Sequence, residues 1–187
     1  MLVHIEEFGT YAEITGFRGV QIDDPKRMAD LASQEKRRNT TVQFLNARLI
    51  ATWEHLYFAV LDALLAFRSN CNISKSLGVE IMLYASAQRQ IRKAINLIGM
   101  GCGSLNLAVA IVGENKATMK RSLSVITEHT GKAPDESVLG FSGTKAEEVQ
   151  RVFGISETEI SAVSLGNKNE ALVKLVIERM ALLATKI

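Results

Sequence analysis

Proline is scarce in this chain, with only Pro25 and Pro134 in 187 residues. With 13 glycines, that leaves too little punctuation for a loop-rich β-sandwich and favours long helices. Two cysteines, Cys71 and Cys102, cannot build a disulfide framework or a four-cysteine zinc site. One bridge is open to them, and two reduced thiols are the expected state. No apolar run reaches the ~18–20 residues that span a bilayer. The opening residues, Met1 to Glu7, lack a cationic start and an apolar h-region, so a cytoplasmic location is expected, with the nucleus also open to a eukaryotic protein. A net charge of +2 excludes a polybasic protein, but not a local basic patch. The 47% of apolar residues is enough to fold 1–187 as one domain with a sizeable core.

Apolar periodicity then assigns the elements. Alternation predicts strands over 2–7 and 11–22, joined by a turn at Gly9-Thr10. Asp24 is placed to cap a helix that has Pro25 in its first position and Met28, Leu31 and Ala32 on one face. The β-rich run 40–46 reads as a central strand. Helical spacing of Trp53, Leu56, Tyr57, Val60, Leu61 and Leu64 predicts a buried helix from Thr52. Residues 76–86 fit strand or helix equally well. A helix is predicted over 88–98, a buried strand over 105–112, a helix over 117–129 and a short strand over 137–141. Thr144 and Glu147 have capping-box spacing for a helix ending at Gly154. A polar stretch, 156–168, precedes a last helix over about 169–185. This mixed order predicts an α+β fold: one small mixed or antiparallel sheet covered by several helices.

Catalytic signals are weak. Gly99, Gly101 and Gly103 follow a helix and precede a strand, the reverse of a dinucleotide-binding turn, so they read as a flexible connection. His4, His55 and His129 lie in no metal-ligand cluster, and no cofactor or metal is expected. Glu80, inside an apolar run, needs a partner. An enzyme reading, a small-molecule-binding α+β protein, rests on Glu80 and His55 converging on a deep pocket. Arg89, Arg92 and Lys93 are neighbours on the 88–98 helix, and Lys75 joins them if the preceding segment folds back. Such a cluster suits phosphate, although a solvated helix face carries the same pattern.

The last helix carries two apolar stripes. Leu172, Leu175, Val176 and Leu183 form one. Val173, Ile177, Met180 and Ala184 form the other, with Glu170, Lys174 and Glu178 on a polar stripe. One stripe suffices to dock a terminal helix. A second implies a sandwiched core helix or a surface for another molecule, which can be a second copy of the chain.

Four segments taken together, VQFLNARLIATWEHLYFAVLDAL (42–64), LGVEIMLYASAQRQIRKAINLIGM (77–100), EVQRVFGI (148–155) and LVKLVIERMALL (172–183), resemble the small subunit of the KEOPS complex, the PRPK-binding (TPRKB-like) family. The run ASAQRQIRKAI is most similar to its archaeal branch. The chain differs from that family in a longer 67–76 connection and an extended 154–169 stretch. The resemblance implies a non-catalytic subunit. It would bind the N-terminal lobe of a PRPK-type atypical kinase/ATPase and help recruit tRNA, through its 3′ end, for N6-threonylcarbamoyladenosine-37 modification. It makes Val173, Ile177, Met180 and Ala184 the expected kinase interface, joined by part of the 53–67 helix. Lys75, Arg89, Arg92 and Lys93 become the expected nucleic-acid contacts, with Tyr84 as a possible stacking platform.

Overall fold

In a computed structural model, residues 1–183 are described. Four strands, β1 (Leu2–Ile5), β2 (Thr10–Ile22), β3 (Thr40–Asn46) and β4 (Gly103–Gly113), form one open antiparallel sheet in the order β1-β2-β4-β3. The fold is α+β, and the sheet is covered by helices on both faces. Pairing is in register along β2 and β4 from Tyr11↔Gly113 to Phe17↔Leu107, then shifts between Phe17 and Val20. Gly19 absorbs the extra residue at φ +57, with its N–H donated to Asn106 Oδ1 at 2.9 Å. The bulge keeps Phe17, Val20 and Ile22 on the same face, which a strict two-residue alternation would not.

Strand alternation produces two cores. On one face Phe17, Phe44, Leu107, Val109 and Ile111 pack under α1 (Pro25–Lys36) and α5 (Lys116–Thr130) through Met28, Leu31, Met119 and Ile126. Asp24 caps α1 through its side chain, accepting from the Lys26 N–H, as the sequence predicts. On the other face Ala12, Ile14, Ala108 and Ala110 lie under the larger group of helices. These are α2 (Trp53–Arg68), α3 (Leu77–Ala85), α4 (Ile91–Ile98), α6 (Lys145–Phe153), α7 (Glu157–Val163) and α8 (Lys168–Ala181). No helix among the described residues is long and apolar enough to cross a membrane.

Several expectations change. Residues 76–86 resolve to helix, α3. Glu80, fully buried there, accepts the Ile73 N–H at 3.0 Å and the Ser74 N–H at 2.7 Å, and so ties the preceding loop to the helix. The predicted strand at 137–141 is a single 3₁₀ turn, Glu136–Leu139. Asp135 caps it by accepting the Ser137 N–H, and the Asp135 N–H donates to Gly16 O at 2.7 Å. A Cβ on Gly16 would lie 2.1 Å from Val138 Cγ2, so only glycine lets this turn close on β2. The polar stretch 156–168 contains a helix, α7, whose Ser156–Glu159 capping box is complete. Thr144, by contrast, makes no side-chain cap. Gly99 ends α4 in an extended conformation and leads through a short loop to β4, in the helix–glycine–strand order expected.

The loop that Glu80 holds carries Lys75. Glu80→Ala removes the acceptor of two amide N–H groups, the buried one of Ser74 and the partly buried one of Ile73. The expected loss is about 2–4 kcal/mol of stability, read as a lower urea midpoint at unchanged slope.

Candidate docking face and cationic groove

The buried side of α2 is built from His55, Leu56, Ala59, Val60, Ala63 and Ala66. Its three alanines bring neighbouring helices close. His55 fixes the start of the helix, with Nδ1 accepting the Ala51 N–H at 3.0 Å and Nε2 donating to Ala85 O at 2.9 Å. Burial lowers its pKa to about 4, working against the Ala85 hydrogen bond, which raises it; the positive charge of Lys145 adds a smaller depression. The imidazole is therefore neutral at physiological pH. His55 and Glu80 are each committed to backbone groups, and neither lines a cavity described below.

The buried histidine sets a pH dependence. The unfolded chain binds a proton at His55 near pH 6.5, whereas the folded chain resists it until about pH 4. Stability contributed by the neutral ring is complete above pH 6.5 and is lost as pH falls toward 4, by about 3 kcal/mol at most. Asp62, raised to about 6 by burial, works in the opposite direction over the same window. Comparison of urea midpoints between pH 7 and 4.5 in wild type and His55→Gln isolates the histidine: the fall should be shallower in the variant.

The outer side of α2 carries Phe58 and Leu65, both 39% exposed, with Leu61 and Asp62 half-buried between them. Beside it lies α8. Ala171, Leu172, Leu175, Val176 and Leu183 are buried, while Val173 and Ile177 are half-buried. Both helices begin at a cavity of about 380 Å³ lined by Thr52, Phe58, Phe141, Val173 and Ile177. The two apolar stripes of the terminal helix thus have different fates. One is core, and the other forms the wall of an open cavity together with α2. Met180 departs from the expected interface. It is fully buried, because α2, α3, α6 and α7 all pack against α8, and it supports the face from beneath. Ala184 lies outside the described residues.

A larger cavity of about 580 Å³ lies on another part of the surface, between α1, β3, α3 and the connection after α4. Lys26, Lys36 and Lys75 line it, and no aspartate or glutamate does. Its apolar lining includes Phe67, Leu77, Met82, Ile95 and Met100. The first turns of α1 and α3 open onto it, adding the positive ends of two helix dipoles. Of the four expected nucleic-acid contacts, Lys75 lines this groove, and Arg92 and Lys93 are exposed in the first turn of α4. Arg89 is exposed as well, just ahead of that turn. Helix α4 starts at Ile91, so Arg89 precedes it, and its guanidinium donates to Leu183 O at 3.3 Å. Tyr84 is only 5% exposed and offers no stacking surface. Ile91 and Ile95, one helical turn apart on α4, are 42% and 50% exposed instead.

The sequence reading missed Lys26, Lys36 and Ile95 in the groove and Phe58 and Phe141 at the cavity. Only the apolar spacing of α2 hinted at Phe58. The family model described as "Kinase binding protein CGI-121" matches residues 17–184. The regulatory protein Cgi121 of Methanocaldococcus jannaschii is 32% identical over 144 residues, which cover 77% of this chain and 83% of that protein.

Proposed function

The chain belongs to the CGI-121 family of kinase-binding proteins, and on that premise we propose that its α2–α8 face docks the N-terminal lobe of a PRPK-type atypical kinase/ATPase within a KEOPS assembly in the cytoplasm. The protein acts as a non-catalytic regulatory subunit. The observation that carries this reading is an apolar face of exposed Phe58 and Leu65 with half-buried Val173 and Ile177, on which Phe58, Val173 and Ile177 line an open cavity. Such a strip, centred on a pocket able to take an anchor side chain, has the form of an interface hot spot. The second stripe of α8 supplies two of its members.

The cationic groove supports the second half of the reading, recruitment of tRNA through its single-stranded 3′ end for N6-threonylcarbamoyladenosine-37 modification. Single-strand binders combine a positive track for phosphates with a flat apolar platform for bases. Lys26, Lys36 and Lys75 supply the first around the groove, and Arg92 and Lys93 extend it along α4. Ile91 and Ile95 supply the second, in place of Tyr84.

Gel filtration of the purified chain mixed with its kinase tests the docking. A new one-to-one peak is the expected result. Separate elution of the two proteins at micromolar concentration overturns the proposal, and a lone dimer of the chain would assign the strip to self-association.

A further inference from the structure

Asp62 interrupts an otherwise apolar surface. On α2 it lies one turn after Phe58 and three residues before Leu65, beside Leu61. It is half-buried, and among the described residues it makes no hydrogen bond or ion pair. Burial raises its pKa to about 6. Its charge reaches Tyr84 on α3, which burial first and Asp62 second push above the usual phenol range. Glu80 and Arg89 are the other charged groups at that side, with the Cys71 thiol beside them. A carboxylate in this setting is a cost to the free protein.

Charge on the rest of the face points the same way. Glu54 lines the cavity at the start of α2 and forms no ion pair among the described residues. Lys174, the cation of that cavity, is already bound to Glu170 at 2.7 Å. Asp62 and Glu54 thus give the α2–α8 face two acidic groups that form no ion pair among the described residues, so a partner of complementary chemistry presents a cation within an apolar patch.

We propose that Asp62 is a charge-reading contact of the docking face, receiving a lysine or arginine side chain from the kinase between Phe58 and Leu65. The inference rests on the docking reading above and adds its electrostatic specificity. An ion pair formed in a partly desolvated apolar setting discriminates strongly, because a partner without the cation leaves the carboxylate unpaired and buried.

Calorimetric titration of full-length Asp62→Asn, Asp62→Lys and Phe58→Asp with the purified kinase tests the inference. Asp62→Asn should weaken binding about tenfold and Asp62→Lys at least a hundredfold. The unfolding midpoint of free Asp62→Asn should equal or exceed that of wild type, since an unpaired carboxylate is removed. Wild-type affinity from Asp62→Asn, with binding abolished in a folded Phe58→Asp, overturns the role of Asp62 and leaves the docking face standing. Unchanged binding in Phe58→Asp overturns the docking face and the inference with it. A midpoint that falls in Asp62→Asn in step with affinity assigns Asp62 a structural role and also overturns the inference.

Discussion

Ile177→Asp abolishes kinase binding while the protein stays folded: that is the largest effect expected of any single substitution described here. Ile177 is half-buried and lines the cavity between α2 and α8. In the free protein an aspartate there can turn its carboxylate to water at the cavity mouth. In the complex the same carboxylate is enclosed by an apolar partner and has no cation of its own. The desolvation penalty, added to the lost apolar contact, is about 3–5 kcal/mol, or a hundredfold to several thousandfold in affinity. Titration calorimetry reads the affinity, and circular dichroism with a melting curve checks the fold. Met180→Asp makes the contrast. Met180 is fully buried, so this change should unfold the protein outright, and its loss of binding would say nothing about the interface. Unchanged affinity in a folded Ile177→Asp places the kinase elsewhere.

The second large effect concerns RNA. Arg92→Glu with Lys93→Glu replaces two exposed cations at the start of α4 by anions. If both face phosphates of a single strand, the slope of log affinity against log salt should become shallower by about 1.4, at ~0.7 per phosphate. Charge reversal should lower affinity for tRNA by one to two orders of magnitude at low salt. Lys75→Glu should act in the same direction from the groove itself. Arg89→Glu should behave differently. Its guanidinium holds the Leu183 carbonyl at the end of the terminal helix, so the expected result is a lower melting temperature with a nearly unchanged salt slope. Gel shifts over a series of salt concentrations, with full-length tRNA and with tRNA trimmed of its 3′ end, separate these cases. Equal affinity for the trimmed tRNA contradicts a 3′-end site.

The sequence was readable where a pattern is local. The Asp24-Pro25 start, the buried β4 run and the apolar face of α2 follow directly from capping chemistry and periodicity. Two capping boxes show where that local reading ends. Thr144 and Glu147 have the required spacing, yet Thr144 makes no cap; Ser156 and Glu159 have the same spacing inside a stretch that reads as polar connection, and their box is complete. Glu159 also takes Arg179 of α8, a contact 20 residues away. Burial on both sides hid the identity of α3. A helix wrapped by neighbours shows no amphipathic period, and its one odd residue, Glu80, is explained only by the loop that folds back onto it.

The candidate sites were legible in proportion to how local they are. Val173 and Ile177 follow from helical spacing alone. Met180 shares that spacing, but its burial depends on how many helices pack against α8, which spacing does not encode. The groove is the opposite case. Lys26 and Lys36 of α1, Lys75 and Ile95 come from three separate segments, and only the antiparallel order β2-β4-β3 with α1 and α3 at its edge brings them together. Arg89 was assigned to the wrong element because α3 ends at Ala85 and α4 begins only at Ile91, not at residue 88, whereas the burial of Tyr84 depends on what packs around α3.

Hydroxyl-radical footprinting of the chain, free and bound to its kinase, addresses the docking face most directly, because it reports solvent access side chain by side chain. Protection of Phe58, Leu65 and Ile177 on complex formation, with Ile91 and Ile95 still oxidised at their free rate, is the outcome predicted. Unaltered oxidation of Phe58 and Ile177, with protection appearing on α4 or over the helices on the opposite side of the sheet, would contradict it.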